Sequence, residues 1–361
     1  MDDIQSVVEA VLYDKLVDGH ARCNVCQRRC VVAPGKKGFC KGRVNQDGRL
    51  VSLLYGWVAS RHVAPIEIKP LYHFWPGSHA LSLGSFGCNF RCKGCQNWHI
   101  SRAEMDTRET EFISPEAAVA LAKRLGCQGL SWTYNEPTIW FEYTLESAKL
   151  AKQAGLYTNY VTNGFITPEA LALLGPYLDS FRVDIKGFSE AYYRDVCGVS
   201  DFHGVLDVTK QAKIKHRMHV EVVTNVVLGL NDAEADMQRL AAWIRDNLGA
   251  DTPWHVTRFV PHLDLAHLPP TPVRTLERIV QIGEDVGLKF VYIGNVPGHP
   301  KDNTYCPRCR KAVIVRHGYR LAAYEVAGGR CKFCGEVMPI VGSGGETRFL
   351  RENGFLGVAR A

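Results

Sequence analysis

Three cysteines on one short stretch of the chain have the spacing of an iron–sulfur site. Cys88, Cys92 and Cys95 directly follow the apolar segment 80–83. Three thiolates can hold three irons of a [4Fe–4S] cluster and leave the fourth iron open to a small molecule with amino and carboxylate groups. The alternative is a zinc site with a distant fourth ligand, but structural zinc sites usually show paired C-x2-C knuckles. The spacing therefore favours a cluster with one open iron.

Two further groups of four cysteines have the spacing of closed metal sites. The C-terminal quartet consists of Cys306, Cys309, Cys331 and Cys334. Its two C-x2-C knuckles predict a zinc ribbon with a folding role, and rubredoxin-like iron is the alternative. The N-terminal quartet consists of Cys23, Cys26, Cys30 and Cys40. Its four thiolates predict a closed zinc site, with a second, fully ligated [4Fe–4S] cluster as the alternative.

The composition indicates a globular protein that keeps its cysteines reduced. Of 361 residues, 46% are hydrophobic and 22% are charged, which excludes a disordered chain. The 13 cysteines are odd in number, which argues against a closed disulfide framework. The sequence has no apolar stretch long enough for a membrane span, and its acidic start is not a signal peptide. We therefore expect a cytoplasmic protein with no membrane partner.

Alternating strand-like and helix-like segments must position the central cysteines. Short runs rich in β-branched, aliphatic and aromatic residues predict seven strands. These runs are 80–83, 129–133, 156–162, 180–186, 218–227, 255–260 and 289–293. Strand–helix repeats with short connections imply parallel strands, and six or seven such units suit a full or partial (β/α) barrel. In such barrels the chemistry lies at the C-terminal ends of the strands.

Local signals mark where several of the helices begin and end. Ser114 and Thr167 are each followed by proline, glutamate and alanine, which predicts a capping hydroxyl and a proline at the first helical position. Gly126, Gly155 and Gly287 each precede an apolar strand, which is typical of a left-handed C-cap. We divide the chain into an N-terminal cysteine-rich segment (1–70), a barrel (71–302) and a C-terminal zinc-ribbon or rubredoxin-like segment (303–361).

The C-x3-C-x2-C loop after the first strand of a βα series resembles the radical S-adenosylmethionine (SAM) superfamily. Within it, the chain is most similar to the radical enzyme of the AmmeMemoRadiSam system, a relative of glycyl-radical-enzyme activases such as that of pyruvate formate-lyase. The similarity extends over residues 69–74 (KPLYHF), 95–98 (CQNW), 294–299 (GNVPGH) and 305–309 (YCPRC). The resemblance implies a partial (β/α)6 barrel, a [4Fe–4S] cluster on the central cysteines, and bound SAM.

Six residues after the second, third and fourth predicted strands match elements of this family. They are Asn135, Glu136, Thr162, Asn163, Asp184 and Lys186. The first pair lies in a Y-N-E-P turn that resembles the G-G-E-P clamp on the methionyl amine, and the others match T-N-G and D-x-K elements. The resemblance implies that they contact SAM or the substrate. A turn that caps the next helix is the alternative for the first pair, and a structural ion pair is the alternative for the last.

Two positions depart from the family pattern. Gly94 stands where the family usually has an aromatic residue beside the SAM adenine, so that contact is lost or comes from elsewhere, with Phe90 and Trp98 as candidates. Val161 stands where some activases have an acidic residue before T-N-G, which argues against a cation site at that position.

These observations together predict a radical SAM enzyme. A low-potential electron would pass through the cluster to SAM, break its S–C5′ bond and give a 5′-deoxyadenosyl radical that abstracts hydrogen. We assign no catalytic residue beyond the cluster. The expected partners are a low-potential electron donor and, by resemblance to the activases, a protein or peptide substrate. The alternatives are an RNA- or small-molecule-modifying radical SAM enzyme and a non-enzymatic metal-binding scaffold. The net charge of +6 is mild, so nucleic acid is not an expected partner.

Overall fold

Seven short strands precede the main sheet in the computed structural model, which describes residues 7–106 and 110–342. They are β1 (Val8–Glu9), β2 (Tyr13–Lys15), β3 (Ala21–Cys23), β4 (Val31–Val32), β5 (Arg43–Gln46), β6 (Arg49–Ser52) and β7 (Trp57–Val58). β1, β6 and β5 form one small antiparallel sheet, and β2, β3 and β4 form another. The N-terminal quartet begins at the end of β3 and continues through the loops that lead to β5.

An eight-stranded sheet follows, and seven of its strands are parallel. In order across the sheet they are β8 (Ser60–Pro65), β9 (His79–Gly84), β11 (Gly129–Trp132), β12 (Tyr157–Thr162), β13 (Ser180–Asp184), β14 (His219–Val226), β15 (Trp254–Arg258) and β16 (Val291–Gly294). β8 is antiparallel to β9, and β10 (Glu111–Phe112) pairs with β7 outside the sheet. The two end strands, β8 and β16, are not paired with each other. This open sheet confirms the predicted α/β partial barrel, and all seven predicted strands are present.

Eight helices connect or flank the strands in the described part of the chain. They are α1 (Trp98–Ser101), α2 (Pro115–Arg124), α3 (Phe141–Gln153), α4 (Pro168–Leu174), α5 (Glu190–Tyr192), α6 (His203–Ile214), α7 (Glu234–Leu248) and α8 (Val273–Val286). The predicted N-caps are confirmed, since the hydroxyls of Ser114 and Thr167 accept the backbone N–H three residues on. The predicted C-cap glycines have left-handed φ angles of 61° at Gly126, 75° at Gly155 and 103° at Gly287.

The two faces of the parallel sheet differ in polarity. On β13, Phe181 and Val183 are fully buried in the hydrophobic core that includes residues of the helices. The alternate residue Arg182 therefore points to the opposite, inner face. Arg182 is aligned with Glu221 of the neighbouring strand β14, which is also completely buried. The inner face of the barrel thus carries buried charges that need partners within the barrel.

The C-terminal segment folds as a small module of short strands. They are β17 (Thr304–Tyr305), β18 (Ala312–His317), β19 (Arg320–Tyr324), β20 (Val326–Ala327) and β21 (Arg330–Cys331). Val313 and Ile314 of this module pack in one buried cluster with Tyr72, Phe290 and Tyr292. Tyr292 lies at the start of β16, and Phe290 immediately precedes that strand. The module therefore covers the N-terminal ends of the barrel strands, which we call the base.

The predicted segment 1–70 is not confined to the small N-terminal sheets. Its strand β8 pairs over six residues with β9 and forms one edge of the main sheet. The three-part division of the chain therefore stays a prediction. None of the helices in residues 7–106 and 110–342 has the length and apolarity needed to cross a membrane.

Candidate functional site

The central cysteines lie on a loop, residues 85–97, that leaves the C-terminal end of β9. The turn after β11 holds this loop at both ends. The side chain of Asn135 accepts the backbone N–H of Ser85 at 3.0 Å and donates to the carbonyl of Gly87 at 3.0 Å. Beyond the cysteines, Asn97 donates to the carbonyl of Tyr134 at 2.7 Å. We call this segment the cluster loop, and these side-chain hydrogen bonds fix its two ends.

Hydrogen-bond donors surround the sulfur atoms of the cluster loop. The Cys88 Sγ atom accepts the backbone N–H of Phe90 at 3.4 Å, and Asn163 Nδ2 lies 3.9 Å from the same sulfur. The Cys95 Sγ atom is 3.3 Å from the hydroxyl of Ser101. Such donors stabilise the negative charge of thiolates that bind iron. The donor set and its surroundings therefore fit a [4Fe–4S] cluster.

The third thiol, that of Cys92, lies beside the D-x-K element at the end of β13. A hydrogen bond with Cys197 lowers the pKa of Cys92 to about 7. Lys186 Nζ donates to Asp184 at 2.9 Å, and Arg182 donates to the other oxygen of Asp184 at 2.5 Å. Burial opposes ionisation of Lys186, but Asp184 outweighs that effect and raises its pKa. The thiol thus borders a charged group of one carboxylate and two cations at the mouth of the barrel.

Glu136 joins the second and third strand ends rather than pointing into open space. The Glu136 carboxylate is 2% exposed, and burial raises its pKa. It accepts the Thr162 hydroxyl at 2.7 Å, the Asn163 N–H at 2.7 Å and the Thr138 N–H at 3.0 Å. Asn163 in turn donates to the side chain of Asn89 at 2.8 Å. These bonds assign Glu136 a positioning role, and its predicted contact with SAM stays a prediction.

The place of the missing aromatic residue is partly filled from another strand. A side-chain carbon at Gly94 would lie 3.0 Å from the ring of Phe259 and 3.1 Å from Leu265. Phe90 packs on Phe165 and is 2% exposed, so it is not open to a ligand. Trp98 is 46% exposed beside the loop. Sequence reasoning missed Phe259 because it follows β15, far from the cysteines in the chain.

The C-terminal quartet has the geometry of a single-ion site. All four Sγ atoms lie within 4.8 Å of one another, with Cys306–Cys334 at 3.6 Å and Cys309–Cys331 at 3.8 Å. With Zn–S bonds of about 2.3 Å, a tetrahedral site has sulfur–sulfur edges of about 3.8 Å. The quartet can therefore bind one metal ion. Zinc stays the predicted ion, since a mononuclear iron site uses the same four ligands.

The N-terminal quartet is also brought together. All four of its cysteines line one cavity, and the same cavity is lined by Asn89 of the cluster loop. This quartet therefore lies at the mouth of the barrel. The C-terminal quartet belongs to the module at the base.

A buried polar group that sequence reasoning missed closes the base of the barrel. Glu221 accepts hydrogen bonds from His219 at 2.8 Å, His255 at 2.6 Å and the backbone N–H of His73 at 2.8 Å. It also accepts the backbone N–H of Tyr72 at 3.0 Å. These bonds hold the 69–74 segment across the strand starts, so this motif has a structural role. The sequence does offer one signal for this group, because Glu221 is a lone acidic residue within the apolar strand β14.

The chain is similar in sequence or structure to several known proteins. The family model described as "Radical SAM superfamily" matches residues 83–244. An uncharacterized protein of Methanocaldococcus jannaschii is 41% identical over 335 residues, which cover 92% of this chain and 99% of that protein. The isethionate sulfite-lyase activating enzyme of Nitratidesulfovibrio vulgaris is 28% identical over 118 residues, 33% of this chain and 38% of that enzyme. A crystallised domain of pyruvate-formate lyase-activating enzyme from Bacteroides vulgatus has a TM-score of 0.40 and 17% identity, covering 46% of this chain and 99% of that domain.

Proposed function

The chain belongs to the radical SAM superfamily, and from that premise we propose that it is an activase-like enzyme whose central cysteines hold the cluster that cleaves SAM. A [4Fe–4S] cluster and SAM are the cofactors of this family. Together they supply, on one-electron reduction, a 5′-deoxyadenosyl radical that abstracts hydrogen from a substrate. The more specific AmmeMemoRadiSam assignment stays a prediction.

The observation that carries this proposal is the position of the cluster loop beside the Asp184–Lys186 pair. Asn135 and Asn97 fix the two ends of the loop, and Glu136 fixes the neighbouring T-N-G turn. Asp184 and Lys186 are 29% and 24% exposed at the mouth, so polar ligand groups can reach both charges.

We infer further that the substrate is a protein or peptide. Asp184 and Lys186 present one acceptor and one donor at the mouth, the pairing that a polypeptide backbone needs. The relative from Nitratidesulfovibrio vulgaris is named as the activating enzyme of another protein, and that name supports the same class of substrate. A low-potential one-electron donor is the second expected partner. None of the 13 cysteines, all of which lie in the described residues, forms a disulfide, which suits the reducing cytoplasm.

The test is SAM cleavage by the anaerobically reconstituted full chain. We expect 5′-deoxyadenosine from the native protein and none detectable from Cys92→Ala, because one of three iron ligands is removed. Cys127→Ala is the matched control, since Cys127 is buried and precedes the start of β11, whereas the cluster loop lies at the C-terminal strand ends. Retained cleavage in Cys92→Ala would overturn the cluster assignment.

The substrate class needs a separate comparison. Candidate partner proteins from the same cells should stimulate 5′-deoxyadenosine formation and acquire a radical or modification detectable by EPR or mass spectrometry. A metabolite extract filtered free of macromolecules should not stimulate it. Stimulation by the filtrate alone would refute the polypeptide assignment and leave the SAM chemistry intact.

A further inference from the structure

We propose that the N-terminal quartet binds a second, fully ligated [4Fe–4S] cluster rather than zinc, and that this cluster lies directly against the cluster loop. This inference rests on the proposed function in one respect, namely that the neighbouring cluster loop holds the cluster that cleaves SAM. The metal site itself is argued from the cavity, the spacing of its thiols, and two unpaired donors. It also revises the zinc site that the cysteine spacing alone predicts.

The first observation is the space between the four thiols. The cavity that they line has a volume of about 20 Å³, more than the about 10–15 Å³ that a single water molecule needs. Its remaining walls include apolar side chains such as Val25, Val32 and Ile139. A closed tetrahedral zinc site needs no such space, because four sulfurs at bonding distance from one ion already touch one another. A cluster of four irons and four sulfides does need it.

The second observation is the spread of the thiols. In residues 7–106 and 110–342, one group of at least three possible metal-binding residues has its ligand atoms within 4.8 Å of one another. That group is the C-terminal quartet. No three thiols of the N-terminal quartet come that close. The two quartets have the same ligand type and number but differ in the spacing of their sulfur atoms. Widely spaced thiolates suit a multi-iron cluster, and closely spaced thiolates suit one ion.

The third observation is a pair of buried donors without partners. Arg43 Nε and Asn89 Nδ2 are both buried and have no hydrogen-bond acceptor. Arg43 is 2% exposed, Asn89 is 0% exposed, and both line the cavity. Buried donors are rarely left unpaired in a native protein, and an acceptor in the cavity that both residues line would supply a partner. Cluster sulfides and thiolates are acceptors, and hydrogen bonds to them are a usual feature of iron–sulfur sites.

Charge at the cavity agrees with an anionic occupant. The guanidinium groups of Arg28 and Arg43 both line it, although burial disfavours cations. Arg43 is held by Glu142 at 2.6 Å and by the carbonyl of Ile139 at 2.9 Å. Arg28 donates to the carbonyl of Asn89 at 2.5 Å. These cations can offset the negative charge of four cysteine thiolates.

The contacts with the cluster loop place the proposed cluster next to the central one. A side-chain carbon at Gly87 would lie 2.3 Å from the carbonyl oxygen of Cys40, so the two loops touch through their backbones. Arg91 donates to the carbonyl of Phe39 at 3.1 Å. Asn89 immediately follows Cys88 and also lines the N-terminal cavity. A single layer of residues therefore separates the two cysteine groups.

The test counts iron and acid-labile sulfide in the anaerobically reconstituted full chain. The variant Cys88→Ala/Cys92→Ala/Cys95→Ala removes the central ligands and leaves the N-terminal quartet intact. We expect it to retain about four iron and about four sulfide per chain, and to show the EPR signal of a reduced cluster that added SAM does not change. Adding Cys26→Ala and Cys30→Ala to this variant should remove that sulfide and that signal.

Sulfide separates the proposal from its alternatives. Zinc or a single iron ion at the N-terminal quartet would leave the triple variant without labile sulfide, and that result would overturn the proposal. This measurement needs no substitution in the N-terminal quartet, so all four of its ligands are present in the protein that is tested. Failure of SAM cleavage in the native protein would refute the proposed function while leaving this sulfide count informative.

Discussion

The two cysteine quartets offer the same four ligands in different settings. The C-terminal quartet gathers its thiols within 4.8 Å in a module that packs on the base of the barrel. The N-terminal quartet surrounds a cavity at the mouth, lined by two arginines and a residue of the cluster loop. The comparison teaches that ligand count alone does not define a metal site. The spacing of the thiols and the residues behind them do.

The largest expected effect is loss of the C-terminal metal. Cys331→Ala should release the ion and lower the free energy of unfolding by more than about 5 kcal/mol, because structural zinc contributes about 10–16 kcal/mol of apparent binding energy in isolated fingers. Metal analysis and urea unfolding measure both effects. The spectrum of the central cluster should survive, because that cluster lies at the opposite end of the barrel.

Two comparisons sharpen this prediction. Cys127→Ala, a buried cysteine outside the groups, should cost only about 1 kcal/mol. A chain that ends at Lys301 should contain no zinc. Unchanged zinc content in that shortened chain would show that the C-terminal quartet does not hold it.

The next effect concerns how the N-terminal quartet is anchored. Arg43→Met should cost about 3–5 kcal/mol, because it leaves the buried Glu142 carboxylate without its cation. Urea unfolding measures the loss, and the double variant Arg43→Met/Glu142→Leu should recover much of it. A cost below about 1 kcal/mol for the single variant would show that this ion pair does not anchor the segment.

A pH effect of intermediate size should appear at the base. Burial lowers the pKa of His73 to about 3, whereas an unfolded histidine titrates near 6.5. Between these values the unfolded chain binds more protons, so stability is lost as the pH falls below 6.5. His73→Phe should therefore flatten the decline between pH 7 and 5.5 by up to about 1.4 kcal/mol per pH unit. Parallel unfolding curves at each pH test this, and equal slopes would contradict it.

The smallest effect is expected for a surface ion pair of the N-terminal segment. Lys37 and Glu104 are 2.7 Å apart, but both side chains are well exposed. Lys37→Ala should change the free energy of unfolding by less than about 1 kcal/mol, and added salt should shrink the change further. A larger loss would mean that exposed pairs rather than Arg43 hold the segment to the barrel.

Much of the barrel could be predicted because its signals are local. Each parallel strand is a short apolar run, and the hydroxyls of Ser114 and Thr167 cap their helices as their neighbours in the sequence indicate. The C-x3-C-x2-C spacing is also a local signal, and it predicts a loop directly after β9. The edge strand β8 was missed, since it lies in a segment set apart by its cysteines and pairs antiparallel to the sheet.

The remaining features depend on contacts between distant residues. Arg43 meets Glu142 across 99 positions, and Tyr72 meets Glu221 across 149. No local pattern shows that one cysteine quartet lies at the mouth and the other at the base. The sequence matches Glu136 to a SAM-binding element but does not show its hydrogen bonds to the T-N-G turn. Those bonds depend on the pairing of β11 with β12, which places the two strand ends side by side.

The contacts of Arg316 show that a late part of the chain covers the base of the barrel. This arginine of the C-terminal module is 3% exposed, and it donates to the carbonyl of Tyr72 at 2.9 Å while its guanidinium covers the Tyr72 ring. The module leaves the ribosome after every barrel strand, so a nascent barrel must wait with its lower opening uncovered. If the module folds only with its metal, the supply of metal would determine how long the apolar base of the barrel stays exposed to chaperones and proteases. The yield of folded enzyme would then depend on the supply of the ion.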